Sequence, residues 1–132
     1  MTIAVDTSAL MAIVLGERDA LPFARALAAN SGDACVSAAT LVEATIVAEA
    51  RQGSAAAQDL AAVLRETRIR IVPLDATQAS IASAAWRRFG KGRHTAALNL
   101  GDCYSYALAR HLGAPLLFKG DGFRQTDIAP VL

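Results

Sequence analysis

Apolar positions along the chain fall into two alternating patterns, short continuous runs and stripes at helical spacing. The first run, Met1-Thr2-Ile3-Ala4-Val5, stops at an acid followed by two hydroxyls, Asp6-Thr7-Ser8. This predicts a buried strand ending at Asp6 and a helix over 9–15 with Thr7 or Ser8 as its cap, closed by Gly16-Glu17. Asp6 also suits a helix N-cap, and that role is compatible with a place in a functional site. An Ala-rich helix is predicted over 20–29, a short strand at Ala34-Cys35-Val36, and a helix over 37–51 that breaks at Gln52-Gly53-Ser54. Segment 55–67 reads as a helix with Leu60, Val63 and Leu64 on its buried stripe. The run RIRIVPL, residues 68–74, predicts a strand, and Asp75 reads as the cap of a helix that continues to about Phe89.

The last third, LNLGDCYSYALARHLGAPLLFKGDG, places acids at both ends of one helix-strand unit. Asp102 falls in the first turn of a helix over 103–112 marked by Tyr104, Leu108 and Leu112. Gly113 stops it, Pro115 prevents its restart, and Leu116-Leu117-Phe118 forms a strand ending at Lys119-Gly120-Asp121. Residues 128–132 suggest a final short strand, with Pro130 favouring the sheet edge. Strands separated by helical crossovers predict one three-layer α/β/α domain with a central, mainly parallel sheet. In such sheets, residues just past the C-terminal strand ends are where sites form.

Composition narrows the chemistry. With 132 residues, 54% of them hydrophobic, the chain can bury one proper core, and a formal charge of +1 provides no global basic field, so nucleic-acid contacts must come from local clusters. Cys35 and Cys103 lie in apolar stretches without metal-ligand or CxxC spacing, which fits a reduced, cytoplasmic protein. No apolar run approaches the ~20 residues of a membrane span.

Four acids are flanked by apolar segments: Asp6, Glu43, Asp102 and Asp121. Glu17, Asp19, Asp33, Asp59 and Glu66 read as loop or surface residues. Glu43 shares a helical face with Ile46, Val47 and Ala50, so it needs a partner, either a structural ion pair or a metal or catalytic role. Four gathered carboxylates repel one another by several kcal/mol at an effective dielectric of ~20 and persist only with cations. Oxygen ligands without His or Cys select Mg²⁺ or Mn²⁺, and the chemistry this suits is hydrolysis of a phosphodiester. The one dense basic cluster, Arg87, Arg88, Lys91 and Arg93 with His94, leads towards Asp102. It either complements a helix dipole and solvent or, with Lys119, holds nucleic-acid phosphates. Phe89 or Trp86 could stack on a base, although the spacing of Trp86 from Ile81 and Ala82 suits a core position. Neither His94 nor His111 has a partner at zinc-ligand spacing.

The segments Val5-Asp6-Thr7-Ser8-Ala9-Leu10, Leu41-Val42-Glu43-Ala44, NLGDCYSYALA and Leu117-Phe118-Lys119-Gly120-Asp121 resemble the PIN domain, specifically the VapC-type ribonuclease toxins of bacterial toxin–antitoxin pairs. The resemblance spans nearly the whole chain. It implies a Mg²⁺-dependent endoribonuclease (Mn²⁺ being possible), inhibited by an antitoxin encoded beside it, usually a homodimer. Asp6 and Asp102 match the family's metal ligands and Glu43 its central acid, with Thr7 or Ser8 orienting a ligand or water. The fourth acid departs from the pattern: relatives often read KGDDF or KGNDF, and this chain has Gly122 in the second position. Asp121 would then substitute from one residue earlier, with Asp127 in reserve. Two other classes compete. An aspartyl-nucleophile phosphatase wants a second acid where Ser8 stands. A non-catalytic PIN-like module would bind RNA or protein without cleaving.

Overall fold

The computed structural model describes Met1–Leu132. Its strands β1 (Ile3–Val5), β2 (Ala34–Ser37), β3 (Arg70–Val72) and β4 (Leu116–Leu117) pair in parallel in the order β3-β2-β1-β4. The register sets Ala4 beside Cys35 on one side and Leu116 on the other, with Val5 opposite Leu117. The first three strands are laid down in one direction, and the chain then crosses back to add β4 on the far side of β1. That reversal opens a crevice beyond the C-terminal end of β1, at Asp6.

Helices α1 (Thr7–Val14), α2 (Ala20–Ala29), α3 (Ala38–Gln52) and α4 (Ser54–Glu66) form one layer, and α5 (Ala76–Phe89) and α6 (Leu100–Leu112) the other. Alternation along the strands divides the core between them. Ile3, Val5, Val36 and Leu117 pack with Leu10, Leu27 and Leu60 on one face, while Ala4, Cys35 and Leu116 meet Phe89, Tyr106 and Leu108 on the other. The three-layer α/β/α architecture is the one the pattern predicts.

Several boundaries differ for local reasons. Helix α1 starts at Thr7 because Asp6 itself is the cap, accepting the Ser8 N–H at 3.0 Å, so neither Thr7 nor Ser8 caps it. Helix α6 starts at Leu100, three residues before the predicted point, because Asn99 closes a capping box with Asp102. The expected last strand is a single bridge between Leu116 and Pro130, with Val131 N–H donating to the Leu116 carbonyl, and Pro130 has no N–H with which to extend it. The predicted strand over 68–74 shortens to Arg70–Val72, flanked by Arg68 at a positive φ of 53° and by Pro73.

Candidate active site

Three segments bring acids to the crevice. Asp6 leaves β1 in extended conformation and is only 3% exposed. An ionised carboxylate buried so deeply must be supplied with donors. Its Oδ2 accepts the Ser8 N–H at 3.0 Å and the Ser8 hydroxyl at 2.6 Å, and its Oδ1 accepts the Ser105 hydroxyl at 2.5 Å. Ser8 Oγ in turn accepts the Lys119 backbone N–H at 2.9 Å. The end of β4, the start of α1 and the second turn of α6 are thus tied through one carboxylate.

Glu43 reaches the same region from α3. Its Oε1 accepts the Thr7 hydroxyl at 2.5 Å. The first turn of α6 can pass this close only because residue 101 is glycine, since a Cβ there would collide with the Glu43 carboxylate. The face that Glu43 shares with Ile46 and Ala50 is not buried, Ile46 being 61% exposed. The core stripe of α3 is instead Thr40, Ala44 and Ala48, so the expected apolar enclosure of Glu43 is replaced by a hydroxyl tether at the protein surface.

Asp102 sits at the N-terminal turn of α6. Its Oδ2 accepts the Asn99 N–H at 3.0 Å while Asn99 Oδ1 accepts the Asp102 N–H at 2.9 Å. Burial, followed by the charges of Asp6 and Glu43, raises its carboxyl to about 6 against the opposing pull of the Asn99 N–H. Asp102 therefore feels the charge of both other acids, and none of the three takes part in an ion pair with Lys or Arg.

No three His, Cys, Asp or Glu side chains are gathered into a ready-made metal cage. Each carboxylate is partly engaged by a donor of its own chain. The donor set nevertheless fits a hard divalent cation: carboxylate oxygens with surplus negative charge, hydroxyls beside them, no sulfur or imidazole. Mg²⁺ needs only one or two carboxylates because it keeps several waters.

Asp121 is exposed in the turn after Gly120 and forms no ion pair. The structure does not bring it into the hydrogen-bonded group formed by Asp6, Ser8 and Ser105. Asp127 is already engaged, accepting the Tyr106 hydroxyl at 2.7 Å and pairing with Arg88 and Arg110 at 3.4 and 3.8 Å, so it is no reserve ligand.

The basic candidates divide. Arg88 pairs with Asp127, and Lys119 Nζ donates to Glu17 at 3.0 Å and Asp19 at 2.9 Å, which raises the ammonium and lowers Asp19. Arg87, Lys91 and Arg93 have no carboxylate partner. Arg93 lies over the Trp86 ring, 4.5 Å from its centroid. The expected aromatic roles reverse: Phe89 is buried at 4% exposure, and Trp86, read as core, is 45% exposed.

Sequence reasoning did not find Ser105, Gly101 or Asn99. Ser105 lies three residues after Asp102 on the same helix, spacing that places it on the same face, so a signal was present. For Gly101 there was none beyond its type, because the need for a missing side chain exists only once α3 packs beside α6.

Residues 3–129 match the PIN domain family. The chain is 47% identical over 127 residues to Ribonuclease VapC of Mycolicibacterium smegmatis, covering 96% of this chain and 98% of that protein. It is 46% identical to Ribonuclease VapC30 of Mycobacterium tuberculosis, covering 96% of each. Among solved structures, VapC20 of Mycobacterium tuberculosis, described as a sarcin-ricin loop cleaving toxin, superposes with a TM-score of 0.81 at 23% identity over 98% of both chains. VapBC2 from Rickettsia felis, bound to a DNA fragment from its promoter, shares the fold with a TM-score of 0.77 at 13% identity, over 98% of this chain and 96% of that one. With the family's profile covering nearly its whole length and close VapC relatives on either side, the chain belongs to the PIN-domain family, among its VapC ribonucleases.

Proposed function

We propose that the protein is a metal-dependent endoribonuclease, the toxin of a toxin–antitoxin pair, hydrolysing RNA phosphodiester bonds with Mg²⁺ or Mn²⁺. The observation that carries this reading is the Asp102 carboxyl at the crevice, raised to about 6 by burial and then by the charges of Asp6 and Glu43, with no basic side chain paired to any of the three acids. Such an arrangement is disfavoured without a cation and matches what a phosphodiesterase requires.

Asp6 and Asp102 would hold the ion, with Glu43 as third acid. When bound, the ion supplies charge neutralisation at the phosphate and a lowered pKa for an attacking water. The chain does the rest by positioning. Ser8 and Ser105 fix both oxygens of Asp6, and Thr7 orients Glu43. Arg87, Lys91 and Arg93, free of carboxylate partners, would hold RNA phosphates that the acids alone would repel. Asp121, exposed in its turn, is left out of the residues that would hold the ion.

The antitoxin partner is proposed from the VapC relatives and from the VapBC2 structure, whose description pairs the two proteins. A homodimer is proposed because Val42, Ile46 and Leu100 stand more than half exposed beside Glu43, an apolar strip that self-association would cover. The lack of a preformed cage favours a second reading, a PIN-like module that binds RNA or protein without cleaving.

One experiment separates them. Protein freed of antitoxin is incubated with a mixed pool of structured RNAs in Mg²⁺, in Mn²⁺ and in EDTA, with Asp102→Asn in parallel. Discrete cuts requiring both metal and Asp102 support the nuclease. Folded protein that leaves every RNA intact moves the assignment to the binding module.

A further inference from the structure

A cavity of about 590 Å³ opens between α5 and the start of α6, and the acids do not line it. Its base is apolar, formed by Leu98 and Cys103, both almost fully buried. Its walls carry two aromatic rings, Trp86 and Tyr104, and its rim two cations, Arg87 and Lys91. Asn99 belongs both to this cavity and to the capping box that holds Asp102, which sets the cavity beside the proposed catalytic crevice.

We propose that this cavity is a nucleobase subsite, receiving an unpaired base of the RNA strand beside the scissile phosphate. The inference rests on the ribonuclease reading for its substrate. Three features select a base over other occupants. The exposed ring of Trp86 and the half-buried ring of Tyr104, flanking an apolar base, suit the π-face of a nucleobase. The rim cations Arg87 and Lys91 lack carboxylate partners, so unneutralised positive charge stands where the phosphates on either side of a seated base would lie. The Arg93 guanidinium over Trp86 holds the ring in place and adds a third cation at the same mouth. An apolar peptide would use the rings but leave these cations beside a neutral backbone.

Trp86 is the only tryptophan in the chain, so stacking is directly readable by its fluorescence. The intact protein is titrated in EDTA, where cleavage is not needed, with the four ribonucleoside 5′-monophosphates, with a short single-stranded RNA, with copies of that RNA carrying one abasic nucleotide at successive positions, and with an apolar peptide. The expected result is saturable quenching by the RNA at lower concentration than by any mononucleotide. One abasic position should weaken binding by about 5- to 150-fold. Ser83→Tyr, which fills the cavity from an exposed position on α5, should remove both the quenching and the abasic effect; Ala79→Tyr does the same from a second position should the first variant melt early. In cleavage assays with Mg²⁺, Trp86→Ala should raise KM by a similar factor with kcat little changed, the signature of lost binding that ground state and transition state share. A flat abasic series, quenching that survives both filling variants, or quenching by the peptide but not by RNA overturns the subsite. If the protein cleaves nothing yet its fluorescence responds as described, the ribonuclease reading fails while the base-binding cavity stands.

Discussion

Asp6 and Asp121 follow the C-terminal ends of adjacent parallel strands, yet the structure treats them oppositely. Asp6 is followed at once by α1, so it becomes the helix cap and is buried with its oxygens bound by Ser8 and Ser105. Asp121 lies beyond Gly120 in a short turn and remains in solvent. Position after a strand brings an acid near the sheet edge, but the hydrogen bonds of a following helix hold its carboxylate in one place. Asp102 and Glu43 fall on the same side of this contrast, one through a capping box and the other through Thr7.

The largest effect expected of this contrast is on cleavage. Asp6→Asn or Asp102→Asn should reduce it by about 100-fold or more, the scale of losing one charge contact in the transition state, while Asp6→Asn still caps α1 and melts near wild type. Equal loss from Asp121→Asn would break the comparison. Gly101→Ala comes next. Its Cβ would collide with the Glu43 carboxylate, and a destabilisation of about 1–3 kcal/mol is expected from urea unfolding. Adding Glu43→Ala should restore most of that stability if the clash is its cause, and non-additivity in the cycle is the measure.

Ser105→Ala removes one of the hydroxyls on Asp6 without touching the acid. A loss of about 10- to 100-fold in Mg²⁺ affinity, followed by calorimetry, is expected for a group that orients a ligand. Unchanged affinity would show that Ser8 alone suffices.

A smaller effect concerns pH. The Asp102 carboxyl titrates near 3.8 when unfolded and is raised to about 6 in the fold, so between those values the folded state holds the extra proton. Metal-free protein should therefore lose stability as pH rises through 6. The difference between wild type and Asp102→Asn isolates this contribution, of order 1 kcal/mol once solvent screening of a half-buried group is allowed for. Urea midpoints at pH 4.5 and 7.5 test it, and wild type becoming relatively more stable at the higher pH would refute the assigned cause. The smallest effect is expected at Asp121, where Asp121→Asn should change stability by less than about 0.5 kcal/mol and cleavage by about twofold or less.

Much of the fold was legible because its signals are local. The apolar run before Asp6, the stop at Gly113 and the break expected at Gln52-Gly53-Ser54, which narrows to Gly53 alone, each depend on a few neighbouring residues and survive folding. Errors arose where a pattern allowed two environments. Trp86 at helical spacing from Ile81 and Ala82 reads as core, but its side chain lines a cavity mouth. The stripe containing Glu43 and Ile46 reads as buried, although α3 turns a different stripe inward. Periodicity identifies a face without saying what lies opposite it.

By itself, then, the order of apolar runs and punctuating residues determined a parallel three-layer domain, and apolar flanks marked Asp6, Glu43, Asp102 and Asp121 as the acids worth following. The tertiary structure alone decided which of them share an environment, because the crossover that seats β4 beside β1 brings Ser105 to Asp6 across 99 residues of chain. It also decided which cations are free, since Arg88 and Lys119 find carboxylates only after distant loops meet. Those contacts depend on distance in space, and a linear pattern carries none of that information.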